Sequence, residues 1–283
     1  MIVSITNGRS VLHALRLGLG LLVVLTYAAF FRSVWSIWWR DPEFSYGMLI
    51  PPIVAYLVWA RRCQGSPTAK TASSPAVLLV MVGCALQVVA SFSNTLVLSG
   101  MALAITLMGS VGFLRGREYL GIMAPPISLL ILMVPLPSYL AGDLAWRLQV
   151  AASAISSVIL EFLGVPVYHD GNLLVLSNFI LEVKQACSGS RSLFALIALA
   201  LVIGLSVERK WWIRILLVAA APVLSIGANI VRIVGTGLIA HQWGSLAANE
   251  SLHSAWGILV FVIAVSGLLV FRRLLQWVSN AYA

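Results

Sequence analysis

Apolar blocks of bilayer length leave this chain few ways to fold. Eight can be read, at roughly 17–38, 46–60, 76–92, 95–114, 119–135, 188–207, 212–240 and 254–271. A helix needs about 20 predominantly apolar residues to cross the hydrocarbon core, and in that medium only helices and closed barrels satisfy their own backbone. The breaks between blocks are Pro, Gly or charge: Arg40-Asp41-Pro42, Arg61-Arg62, Arg115-Gly116-Arg117, Pro135-Leu136-Pro137 and Glu208-Arg209-Lys210. Composition agrees, since 60% of the 283 residues are hydrophobic and 10% charged, where a soluble domain carries roughly a quarter charged. The expected fold class is an all-α polytopic membrane protein of about eight transmembrane helices, forming one membrane domain over residues 1–283. The first block is long and no small-x-small pattern follows it, so it reads as an uncleaved span rather than a secretory signal.

The formal net charge is +9. On a soluble protein that would suggest nucleic acid. Here Arg9 and Arg16, Arg61-Arg62 with Lys70, Arg115 and Arg117, Arg209-Lys210 with Arg214, and Arg272-Arg273 hold 12 of the 18 basic residues in short clusters between apolar blocks. With eight spans every cluster falls on one side, which the positive-inside rule makes the cytoplasm. Both termini are then cytoplasmic, the bilayer is the expected partner, and nucleic acid is not. Residues 141–164 carry Asp143, Arg147, Gln149, Ser153, Ser156, Ser157 and Glu161. Counting them as a span would reverse the later clusters, so they read as an interfacial helix on the outer surface. Asp170-Gly171 between alternating runs predicts a short β-hairpin, which completes an outer segment, 136–187, between the fifth and sixth spans.

Titratable groups beside the embedded helix ends are where chemistry would sit, because burying them is costly. Cys187 precedes the sixth span within Gln185-Ala186-Cys187-Ser188-Gly189-Ser190-Arg191-Ser192, Arg232 lies deep in the seventh, and His253 opens the eighth. The span order carries all three to the outer half of the membrane. A free thiol has a pKa of about 8.5 and needs a cation, a base or a helix N-terminus to become a good nucleophile. His253 is suited to accept its proton and later donate it, and Arg232 to stabilise an oxyanion. Asn229, three residues before Arg232, would orient the guanidinium or add a second oxyanion donor. Cys63 and Cys84 read as packing residues, while His169 and His241 are spare candidates and Arg191 would pair with the site, Asp170 or Glu182. Three scattered cysteines and no HExxH, GxSxG or Walker loop leave no expected metal or cofactor.

Three blocks in order, Ala186-Cys187-Ser188-Gly189-Ser190-Arg191-Ser192-Leu193, Asn229-Ile230-Val231-Arg232-Ile233 and His253-Ser254-Ala255-Trp256-Gly257, resemble the signature blocks of the exosortase/archaeosortase family. The resemblance extends to Asp41-Pro42-Glu43-Phe44-Ser45-Tyr46-Gly47, Met133-Val134-Pro135-Leu136-Pro137, and Gly164-Val165-Pro166-Val167 with Gly171-Asn172. Two departures stand out: Tyr46 where the family usually has His, and Lys184-Gln185 where it has Ala-Glu.

The resemblance implies an inner-membrane cysteine transpeptidase acting on the extracytoplasmic face. Such enzymes cut C-terminal sorting signals (a motif such as Pro-Glu-Pro, a transmembrane helix, a basic tail) from membrane-anchored proteins through a thioester and pass the product to an acceptor. Cys187 would be the nucleophile, Arg232 the oxyanion partner and His253 the acid/base, with Asn229, Ser188, Gly189, Arg191 and Tyr46 supporting or binding substrate. Bacterial members accompany exopolysaccharide systems. Two other readings stand beside it: a membrane cysteine protease that uses the same residues but only hydrolyses, and a non-enzymatic transporter or assembly protein of exopolysaccharide export, which would use Arg232 and His253 as a substrate site and would not need Cys187.

Overall fold

Helices form at each expected apolar block and stop at the expected punctuation. The computed structural model describes residues 3–62, 74–177, 179–183, 189–244 and 250–281. The chain divides into two compact units, residues 1–137 and 138–283.

In the first unit, α1 (Val3–Arg40) ends where the Asp41 carboxylate accepts a hydrogen bond from the Glu43 amide at 2.9 Å, capping a short 3-10 helix over Pro42–Leu49 that leads into α2 (Ile50–Arg61). Proline early in such a turn is favourable, because its missing N–H would have had no partner there. Next, α3 (Ser74–Ser93) and α4 (Leu96–Arg115) form a hairpin turned at Asn94, whose φ is 49°. After Gly116 comes α5 (Arg117–Ser128), and Pro125 and Pro126 near its end convert the chain to a 3-10 segment over Leu129–Met133. A buried hydrogen bond of 2.9 Å between the Tyr27 and Thr106 hydroxyls ties α1 to α4.

The second unit opens with α6 (Ser138–Phe162), whose buried stripe of Ala141, Ala145, Gln149, Ala152, Ser153, Ser156, Ser157 and Leu160 has mostly small side chains. Small residues let helix backbones approach closely where the bilayer supplies no hydrophobic drive. Three antiparallel strands follow: β1 (Val167–Asp170), β2 (Leu173–Leu176) and β3 (Ile180–Glu182). The Asp170-Gly171 turn forms as expected, with Gly171 at φ 59°. The expected hairpin is, however, a three-stranded sheet. The alternating run to Val183 breaks after Leu176, where the Leu176 amide bonds the Phe179 carbonyl at 2.9 Å and turns the chain into a third strand. The sheet is fixed to the helices by a core of Ala152, Leu160, Val165, Leu174, Leu176, Val183, Ile233 and Val234.

The remaining helices are α7 (Ser190–Ser206), α8 (Trp211–Trp243) and α9 (Glu250–Ala281). Leu196, Ala200, Ile213, Leu217, Ala221, Ala264 and Leu268 form their common core. Among the described residues six helices are long and apolar enough to cross a membrane, and Arg117–Met133 with Ser138–Phe162 pass that test as a broken pair. The eight-span expectation is therefore approximate. The fifth block is shortened by its prolines, and the sixth, α7, has only 17 residues. Outward-facing Leu21, Leu25, Leu78, Met81, Ile258 and Val262 are all at least 52% exposed, a surface that suits lipid rather than water.

Candidate active site

Within the second unit, the residues singled out from sequence are brought into contact through glycines. Gly189 begins α7 at φ 81°, a left-handed conformation that residues with a Cβ adopt only under strain. A Cβ there would lie 2.9 Å from Cγ of Asn229, so the start of α7 is pressed directly against α8 at that residue. Ser192 Oγ donates to the Gly189 carbonyl at 2.8 Å and lies 3.0 Å from Ser225 Oγ. Ser225 and Asn229 are four apart on one face of α8, and only 1% and 5% exposed. This network locks the turn that follows Cys187 onto the seventh expected span.

One turn further along α8, Arg232 meets α9. A Cβ at Gly257 would sit 3.0 Å from Nη2 and 3.1 Å from Cζ of Arg232, so the guanidinium rests on bare backbone. The Trp256 indole lies against Gly235, where a Cβ would come within 2.6 Å of the ring, and its Nε1 donates to the Arg232 carbonyl at 3.1 Å. Thr236 Oγ1 donates to the same oxygen at 2.9 Å. His253 stands in the first turn of α9, four residues before Gly257 and on the same helix face. Its side chain is outside those described.

The Asn229–Arg232 turn thus touches the Cys187-containing block through Gly189 and the His253-containing block through Gly257. Cys187 and Ser188 themselves lie outside the described residues. Arg191 is exposed in the first turn of α7. Tyr46 lies in the first unit, half-buried in the 3-10 helix beside Gly47, which packs on the Trp38 indole. That indole donates to the Met133 carbonyl at 2.9 Å and so joins the Asp41–Gly47 and Met133–Pro137 stretches.

Ser192, Ser225, Trp256 and Gly257 were not singled out from sequence. Ser225 shares the helix face of Asn229, and Trp256 and Gly257 lie inside the His253 block, so spacing alone held the signal. Trp256→Phe keeps an aromatic ring but removes both the indole donor and the part of the indole packed on Gly235; loss of the hydrogen bond is expected to cost about 1 kcal/mol and the lost packing adds to it, read as a lower thermal midpoint in detergent.

Electrostatically, the N-termini of α7 and α9 both carry partial positive charge, and Arg232 adds a full one. Such a region favours a thiolate and a developing oxyanion over neutral forms. A family model described as transmembrane exosortase matches residues 38–270. No curated protein and no solved structure gives a significant match.

Proposed function

The chain belongs to the transmembrane exosortase family, and on that premise we propose that it is a cysteine transpeptidase cleaving C-terminal sorting signals of the Pro-Glu-Pro type from membrane-anchored proteins. The observation that carries this reading is the contact of the Asn229–Arg232 turn with Gly189 on one side and Gly257 on the other. It supports bringing the nucleophile block and the acid/base block to one place.

In the proposed reaction His253 takes the proton of the Cys187 thiol. The thiolate adds to the scissile carbonyl and Arg232 offsets the charge that develops on oxygen. His253 then donates its proton to the leaving amine. The thioester left on Cys187 passes to an acceptor nucleophile and the thiol is regenerated. In this reading the site faces the extracytoplasmic side of an inner membrane with both termini inside, which the grouping of the basic clusters between apolar blocks supports.

Co-expression with a tagged substrate ending in such a signal tests the reading. Wild type should remove the tail, whereas Cys187→Ala and Cys187→Ser should not. Equal removal by all three would remove Cys187 from the mechanism. A product carrying an acceptor, rather than a free carboxylate, would distinguish transfer from hydrolysis.

A further inference from the structure

Two basic clusters that lie far apart in sequence meet at one end of the first unit. Arg61 closes α2 and Arg62 follows it, Arg115 closes α4, and Arg117 opens α5 after the single residue Gly116. Two hydrogen bonds tie these helix ends together. Arg61 Nη1 donates to the Ile122 carbonyl at 3.3 Å, and Tyr119 Oη donates to the Arg62 carbonyl at 2.8 Å.

Helix C-termini favour basic residues, and clusters of this kind orient a membrane protein. Neither effect dictates how the side chains are held. Here Cζ of Arg62 lies 4.7 Å from the centre of the Trp59 ring, and Cζ of Arg115 lies 5.1 Å from that of Tyr119. A guanidinium stacked on an aromatic face is oriented by it and keeps its in-plane N–H donors for a forked acceptor. Tyr119 serves both groups, with its ring under Arg115 and its hydroxyl on the backbone of Arg62.

No acid of the chain balances this charge. Among the described residues neither Arg62 nor Arg115 meets a carboxylate. Residues 63–73, which follow Arg62, contain Lys70 and no acidic residue. Glu118 is exposed in the first turn of α5. Asp41 and Glu43, the other acids of residues 1–137, precede α2 and lie toward its opposite end. Four arginines are thus offset by one glutamate.

The surroundings identify the ligand. Trp59 is 56% exposed and its ring stacks on that of Tyr56, which is 63% exposed. Exposed Trp and Tyr beside helix ends mark the headgroup level of a bilayer. The forked anion available at that depth is a phosphodiester, which Arg binds through two parallel hydrogen bonds. A choline or ethanolamine headgroup would bring a cation into a site that is already positive.

We propose that Arg62 and Arg115, seated on Trp59 and Tyr119 and flanked by Arg61 and Arg117, bind the phosphodiester of an anionic phospholipid. The lipid clasps the end of α2 to the corner between α4 and α5. With both termini inside, the site lies in the cytoplasmic leaflet, which carries the anionic lipids.

The purified full-length protein in nonionic detergent, titrated with phosphatidylglycerol or phosphatidylcholine and followed by native mass spectrometry, tests this without any need for turnover. Wild type should retain phosphatidylglycerol in preference to phosphatidylcholine. Arg62→Gln combined with Arg115→Gln should weaken phosphatidylglycerol binding roughly 30-fold. Trp59→Leu keeps every charge but removes one seat, and should weaken it about two- to fivefold. Arg209→Gln combined with Arg273→Gln removes the same charge from exposed positions of the second unit and should bind as wild type does. Equal weakening in the two double variants would make net charge the cause and overturn the proposal. Equal retention of both lipids by wild type would do the same. Displacement of the lipid by an equal concentration of inorganic phosphate would give the site to a free anion and overturn the lipid assignment.

Discussion

Arg232→Lys is expected to lower tail removal by about 10²–10³-fold, the usual loss when one oriented donor to a developing charge is removed. The charge is conserved, so the effect isolates geometry. A guanidinium is a flat fork whose donors lie in one plane, whereas an ammonium is a compact point charge on a flexible stem. The plane matters here because the Arg232 guanidinium rests on Gly257 with no side chain between them. Its backbone is held as well, by Trp256 Nε1 and Thr236 Oγ1 on the carbonyl oxygen. Gly257→Ala would place a methyl 3.0 Å from Nη2 and push the group off this seat, so it should reproduce part of the loss. Processed and unprocessed substrate would be compared at matched enzyme levels. Full turnover by the lysine variant would show that a positive charge suffices and that its orientation does not matter.

Glu208→Ala should be the most destabilising change at the other end of the second unit. The Glu208 side chain is 5% exposed and that of its partner Arg272 18%. Gln276 Nε2 donates to the same carboxylate oxygen at 2.9 Å. The Glu208 carbonyl accepts from Arg214 Nε at 3.0 Å and Nη2 at 2.7 Å, and Lys210 Nζ reaches the Ser279 carbonyl at 3.1 Å. One buried acid therefore fastens the loop between α7 and α8 to the end of α9. Breaking a buried pair by deleting one partner typically costs about 3–5 kcal/mol, because the other charge is left behind. Thermal unfolding in detergent, followed by tryptophan fluorescence, should show a large fall in the midpoint. Adding Arg272→Met should recover part of the loss, since the stranded cation is then gone. A midpoint equal to wild type would mean that water already solvates this pair.

Helix placement was legible because lipid enforces it. Every apolar block had to hydrogen-bond internally, so the positions of Pro, Gly and charge marked the ends of α2, α4 and α8. The split at Pro125-Pro126 was harder to read, because two prolines shorten a span without altering its hydropathy. The third strand was missed for a similar reason: the alternating run was read through to Val183, and periodicity carries no sign of the change in direction after Leu176. At the site, residue types and span order placed Asn229, Arg232 and His253 near one another. They did not disclose that Asn229 and Arg232, three residues apart, face different helices. That depends on which neighbour offers a glycine, and a glycine's contacts are fixed by tertiary packing. Tyr46 was read as supporting the site; it belongs to the first unit, beside Gly47, which packs on Trp38.

The lengths of α7 and α8 bear on the fate of an acyl group. Gly189 meets α8 at Asn229, yet α8 continues to Trp243, about 21 Å further at 1.5 Å per residue. Along that extension Ile233 and Val234 pack with Leu160 of α6 and with Leu174 and Leu176 of β2. On the proposed function, the Asn229–Arg232 turn is therefore at the foot of a protein wall rather than at its rim. A thioester formed there would have a lifetime set by which nucleophile descends to it, not by the concentration of bulk water. Partition between an amine or hydroxyl acceptor and hydrolysis then becomes a matter of access, and shortening the wall should shift that ratio toward the free acid.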